Sequence, residues 1–355
     1  MQVKGKSVPL KPAGVCGFIL AARLTHNSTS GKEVIGSQLS CTGKSFDQNT
    51  LRRQITMKKM LVLFSLLVIA SLALTACGGG GQTSNDLLTI IKERGYVIAS
   101  TDPNYMPQSG MNPEGKRPAD TKCPSDTFTA AEMQGFDVAV AAEVGKRLGV
   151  ETCFATPDWD VVTAGSWADK WDMSVGSMTV KPPRPDFLYF STPYYAPTAV
   201  VGVPADSTLT SIDELAGQSV CVATSTTYLD WINNALDLNP DDIYAMPPEG
   251  IKIVELPTDQ ECPQALAAGR TEFVAYVTSI TVVESNIAGG LPVKQLGGAV
   301  FKEKNAIAID KASSFDTAAF VKAVDDAVKA MHADGTLSAL SIEWFGSDLT
   351  QDLVE

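Results

Sequence analysis

From about residue 86 onward, short apolar runs alternate with segments of helical period, and this alternation most restricts the fold. Strand candidates lie at 96–100, 152–155, 172–176, 198–203, 219–223, 251–256, 272–277 and 306–310. Between them, Phe136, Val140, Val144 and Leu148 recur at every fourth position, a helix stripe that Gly149 ends. Phe320, Val324, Val328 and Met331 mark a second long helix over 317–333, closed by Gly335. Shorter helices are expected at 87–94, stopped by Gly95, and at 263–268, stopped by Gly269. Ser225, Thr226 and Thr227 supply N-cap chemistry for a helix from about Tyr228. Strand–helix alternation implies an α/β chain with mainly parallel sheets. The strands fall into two sets, one before Tyr195 and one from Thr198 to about Gly298, which predicts two sheets.

What precedes this region reads as a secretion signal. Lys58 and Lys59 are followed by 16 apolar or small residues, Leu61 to Ala76, then by Cys77 and four glycines. The run is shorter than the roughly 20 residues that span a bilayer, and the glycines make a flexible tether. Leu74-Thr75-Ala76-Cys77 resembles a lipobox, which implies cleavage before a lipidated Cys77 and a chain anchored outside the cytoplasmic membrane, in a periplasm or at the outer surface. On this reading 57–76 is the signal peptide and 77–85 the tether. Residues 1–56, polar and without sustained apolar period, are expected to be disordered and to reflect a start codon placed too early.

Residues 77–355 carry 18 lysines and arginines against 38 aspartates and glutamates, a net charge of −20. A surface so acidic repels phosphate backbones and excludes nucleic acid as a partner. Among these residues His332 is the one histidine, in the context of a surface helix end, so no histidine triad, histidine general base or metal site is expected. Besides Cys77 there remain Cys123, Cys153, Cys221 and Cys262, an even number in an oxidising location with no metal-ligand spacing. Four cysteines allow three pairings. Cys123 and Cys153 flank the first long helix and Cys221 and Cys262 lie in the later strand set, so that pairing is expected.

Residues 101–195 contain an ordered series: Thr101-Asp102-Pro103-Asn104-Tyr105, Gln134-Gly135-Phe136-Asp137, Trp159-Asp160, Asp172, Gly176-Ser177-Met178-Thr179, Arg184, and Phe190-Ser191-Thr192-Pro193-Tyr194-Tyr195. Thr226-Thr227, Ala268-Gly269-Arg270, Ala306-Ile307-Ala308-Ile309, Asp334-Gly335-Thr336-Leu337 and Trp344-Phe345-Gly346 continue it. This series resembles the bacterial extracellular solute-binding proteins of family 3, from polar amino acid ABC importers. The resemblance implies the two-lobe periplasmic-binding-protein fold of type II, with two sheet-bearing lobes joined by a two-strand hinge and closing on a trapped ligand. Lobe 1 would be 86–195 with 305–355 and lobe 2 would be 197–303. The hinge would cross near Ala196-Pro197 and Lys302–Lys304.

The residues themselves explain how such a cleft holds a carboxylate. Arg184 carries a planar fork that matches one through two hydrogen bonds. In the family, the positions of Ser177 and Thr179, next to Gly176, help hold the ligand's carboxylate and amino groups. Thr227, with Thr226, would begin a lobe-2 helix whose N-terminus favours anions, so that Arg184 and Thr227 grip one carboxylate from opposite lobes. Tyr105 and Trp159 would line the walls, and Asp102 is a usual site residue in part of the family. One departure stands out. Family members carry an aspartate for the ligand's ammonium at the end of the strand after Gly-Arg-x-Asp; here Val277 takes its place in Gly269-Arg270-Thr271-Glu272-Phe273-Val274-Ala275-Tyr276-Val277. Valine cannot neutralise a buried ammonium, so Asp102 or another acid must serve, or the ligand lacks an α-ammonium.

The implied function is a monomeric, lipid-anchored binding protein without cofactor, delivering a small carboxylate-bearing solute to ABC permease subunits. A ligand sensor for a membrane receptor and a dehydratase-like enzyme on the same fold are the alternatives. An enzyme would need a placed acid or base, for which Asp102 and Glu132 are the available groups. With Glu355 soon after Trp344-Phe345-Gly346, no fused further domain is expected.

Overall fold

The computed structural model describes residues 85–354. The signal segment, Cys77 and most of the tether lie outside them. Along the chain, α1 (Leu87–Arg94) and β1 (Tyr96–Ser100) lead into three short strands, β2 (Asn104–Tyr105), β3 (Ser109–Met111) and, after β4 (Phe128–Thr129), β5 (Met133–Gln134). Next come α2 (Phe136–Leu148), β6 (Glu151–Ala155), α3 (Trp159–Thr163), β7 (Met173–Thr179), α4 (Arg184–Phe187) and β8 (Leu188–Phe190). The second set is β9 (Thr198–Pro204), β10 (Ser219–Ala223), α5 (Thr227–Ile232), β11 (Lys252–Leu256), α6 (Glu261–Ala267), β12 (Ala275–Ser279), α7 (Ile280–Ala288) and β13 (Val293–Lys302). The chain closes with β14 (Asn305–Asp310), α8 (Ala318–Ala333) and α9 (Thr336–Phe345).

Two principal sheets result, ordered β4-β6-β1-β7-β14-β8 and β11-β10-β12-β9-β13, with β2-β3-β5 as a small third. Where alternation predicts mainly parallel sheets, each proves mixed. β6-β1-β7 and β11-β10-β12 are parallel, whereas β14, β8, β9 and β13 pair antiparallel. The antiparallel halves contain the strands that enter and leave the lobe junction, and a chain that crosses and returns must reverse direction.

Each sheet has its own core. In lobe 1 the stripes act as read: Phe136, Val140 and Val144 of α2 and Phe320, Val324, Val328 and Met331 of α8 are wholly buried against β1, β7 and β14. In lobe 2, Val201, Val220, Val222, Trp231, Val277 and Phe301 pack together. On that sheet's other face Tyr276 lies over Gly202, its register partner, where a Cβ would come within 2.2 Å of the ring. Disulfides Cys123–Cys153 and Cys221–Cys262 each tie a loop or helix to a strand of the same lobe.

The chain passes between lobes at Tyr195–Thr198 and returns at Lys302–Asn305. The two crossings pair: the Glu303 N–H donates to the Pro197 carbonyl (2.9 Å) and the Asn305 N–H to that of Tyr195 (3.0 Å). The lobes are closed. Gln108 Nε2 donates to Thr281 Oγ1 (2.5 Å), Gln260 Nε2 to the Met106 carbonyl (2.9 Å), and Lys181 pairs with Asp230 (2.6 Å).

Candidate functional site

Between the lobes lies a cleft of about 440 Å³. Nine residues singled out from the sequence line it: Asp102, Tyr105, Trp159, Gly176, Ser177, Thr179, Arg184, Thr226 and Thr227. They come from strand ends and helix starts facing the junction. Asp102 and Tyr105 follow β1, Trp159 opens α3, Gly176, Ser177 and Thr179 end β7, Arg184 opens α4, and Thr226 caps α5. Binding groups cluster at such carboxyl ends of strands because loops there carry side chains on a rigid frame.

Arg184 is 4% exposed and bridges the lobes. Nη1 donates to the Thr179 carbonyl (2.9 Å) and Nη2 to the Ser225 carbonyl (3.1 Å), leaving further N–H groups for a ligand. Its guanidinium lies 5.8 Å from the Trp159 ring centroid. Burial lowers its pKa to about 10, so it stays cationic at neutral pH. Gly176 keeps the wall thin: a Cβ there would already touch the Trp159 ring at 3.5 Å.

Ser177 has φ of 55°, a left-handed conformation uncommon for serine. A buried network beneath the cleft holds it. Its N–H donates to Tyr194 Oη (3.0 Å), its hydroxyl to Asp137 Oδ2 (2.7 Å), and Tyr194 Oη donates to Asp137 Oδ1 (2.7 Å). Burial raises Asp137 to about 7 against both hydrogen bonds. Thr226 reaches the cleft, yet its hydroxyl acts as a helix cap, donating to the Ala223 carbonyl (2.7 Å) and accepting from Leu229 N–H (3.3 Å).

Val277 does not reach the cleft. It is 1% exposed, in the lobe-2 core, paired with Val201. The strand expected over 272–277 forms instead over 275–279, so Val277 is interior to it and takes the core-facing side of the alternation. Its neighbour Thr278 takes the opposite side and donates to Asp259 Oδ1 (2.7 Å). Asp259 stands in the loop between β11 and α6 and lines the cleft.

Asp259 and Glu303 are the lining acids that sequence reasoning missed. Burial raises Asp259 to about 7, opposed by the Thr278 hydrogen bond and reinforced by the charges of Asp102 and Glu303. Burial likewise raises Glu303 to about 7, against hydrogen bonds from Tyr228 and Thr179 and the charge of Arg184. Asp102 is raised too, chiefly by burial, while its Oδ1 accepts from Asn104 N–H (2.7 Å). Pro257-Thr258-Asp259, a proline-led polar turn just before a helix, was the legible signal for the first. Nothing local marks Glu303. Among the described residues, no group of three or more His, Cys, Asp or Glu is placed to hold a metal.

A cleft that brings one buried guanidinium together with carboxylates suits a small zwitterion. Comparison with known proteins agrees with that geometry. The chain is 27% identical over 267 residues to the L-cystine-binding protein TcyJ of Escherichia coli (strain K12), covering 75% of this chain and 88% of that protein. It is also 27% identical over 302 residues to the L-cystine-binding protein TcyA of Bacillus subtilis (strain 168), covering 83% and 99%. The crystal structure of a mutant of ArgBP from T. maritima shares the fold, with a TM-score of 0.59, 23% identity and coverage of 73% and 99%. The ancestral amino acid-binding protein AncCDT-1, described as a precursor of cyclohexadienyl dehydratase, superposes with a TM-score of 0.58, 25% identity and coverage of 73% and 99%. Residues 119–347 match one family throughout, and the chain belongs to the bacterial extracellular solute-binding proteins, family 3.

Proposed function

We propose that this protein captures an α-amino acid outside the cytoplasmic membrane and delivers it to the permease subunits of an ABC importer. The observation that carries this reading is Arg184 buried in the closed cleft, with Asp259 also lining it. On this reading Arg184 and the turn at Gly176–Ser177 hold the ligand's carboxylate. Asp259, with Asp102 beside it, receives the ammonium. A buried ammonium needs such a partner, and Asp259 supplies what Val277 cannot. The relatives named for L-cystine and the amino acid-binding neighbours support the class of solute. The protein acts as a binder, in keeping with membership of a family of solute-binding proteins. Lipid on Cys77 holds it, as a monomer, at the membrane.

Mass spectrometry of native protein extracted from membranes tests both halves. The intact mass should equal a chain beginning at a lipidated Cys77, and denaturation should release an amino acid. A mature chain retaining residues 1–76, or release of a solute without an α-amino group, would contradict the corresponding half.

A further inference from the structure

We infer that Glu303, on the returning hinge segment, is a positioning residue for lobe closure, because two hydroxyl chains that each cross the cleft terminate on its carboxylate. In the first, Thr227 Oγ1 of lobe 2 donates to Thr179 Oγ1 of lobe 1 (3.0 Å), and Thr179 Oγ1 donates to Glu303 Oε2 (2.9 Å). In the second, Tyr105 of lobe 1 lies 3.1 Å from Tyr228 of lobe 2, oxygen to oxygen, and Tyr228 Oη donates to Glu303 Oε1 (2.8 Å).

Proton counting fixes both directions. A hydroxyl has one proton, and Glu303, once ionised above its raised pKa of about 7, only accepts. Thr179 gives its proton to Glu303 and must accept from Thr227. Tyr228 gives its proton to Glu303 and must accept from Tyr105. All four hydroxyls are therefore committed to holding the lobes together. In this arrangement the side chains of Thr179 and Thr227 cannot also donate to a ligand carboxylate, which falls to Arg184 and to backbone N–H groups.

The place of Glu303 in the fold makes it suited to this task. It is 3% exposed, and its own N–H is bonded to the opposite hinge segment at Pro197. An acceptor on the paired segments that cross between the lobes stays close to the pivot while the lobes move. When they separate, Thr227 leaves Thr179 and Tyr105 leaves Tyr228, so both chains break at their cross-cleft link. Closure is thereby favoured by contacts distinct from those to the solute.

The test uses the full chain stripped of bound solute by unfolding and refolding with its disulfides intact, so the result does not depend on which solute the protein binds. Small-angle X-ray scattering, or a distance label on each lobe, reads the closed fraction. Wild type should retain a measurable closed fraction. Read at about pH 8, where Glu303 is ionised, Glu303→Gln, which offers one acceptor in place of two, should shift the closed-to-open ratio by about fivefold or more, the effect of one lost hydrogen bond. Tyr228→Phe and Thr179→Val each keep Glu303 and break one chain, so each should shift it similarly. Tyr105→Phe added to Tyr228→Phe should add little, because both act in one chain. A purely structural role would lower the melting temperature and leave the ratio unchanged. A stripped wild type that is wholly open, or ratios within twofold of wild type in the three single variants, would overturn the inference.

Discussion

Asp137 illustrates how one side chain sets the properties of a site it does not touch. It is wholly buried, accepts from Ser177 and Tyr194, and holds the Ser177 turn against the cleft. Its pKa is about 7 in the folded chain against an ordinary 3.8, so between those values the folded chain binds a proton that the unfolded chain lacks. The associated stability is therefore fully present below about pH 4 and is lost as pH rises through about 7. Asp259 and Glu303, also raised to about 7, act in the same direction. Asp334 and Asp348, lowered to about 2, work the other way and only below about pH 4. The melting temperature should thus fall from pH 5 to pH 8. In Asp137→Asn the slope should be shallower by up to one proton, about 1.4 kcal/mol per pH unit. A slope unchanged in Asp137→Asn would show that the carboxyl is already ionised at low pH.

Among the elements, the helix stripes were legible because burial on one face imposes period 3.6 wherever a helix covers a sheet. The nine cleft residues were legible through landmarks in order along the chain. What was not legible involved contact at long range. Glu303 gains its role from Thr179 and Tyr228, 124 and 75 residues away. Val277 was placed wrongly because the strand 275–279 begins three residues later than its apolar run suggests, and strand alternation turns a small shift into a change of face. The disulfide pairing followed from each pair lying in one strand set. The Cys221–Cys262 bridge closes a loop of 41 residues and ties α6 to β10. Its removal in Cys221→Ala/Cys262→Ala should cost about 2–4 kcal/mol by the loss of constraint on the unfolded chain. Chemical denaturation reads this directly, and a loss below about 0.5 kcal/mol would mean that the bridge constrains little.

For the whole molecule, two lobes with separate cores meet at a paired hinge and a polar cleft, and both bridges stay within a lobe, leaving the hinge free to bend. The central claim is that Arg184, buried in that cleft, is the anchor for a ligand carboxylate. Isothermal titration calorimetry on Arg184→Ala, with the solute released from the native protein, tests it most directly. Loss of a buried charged partner predicts a penalty of roughly 2–5 kcal/mol in binding free energy. An affinity within about threefold of wild type, less than ~0.7 kcal/mol, would contradict the account and leave Arg184 as a bridge between lobes with no part in holding the solute.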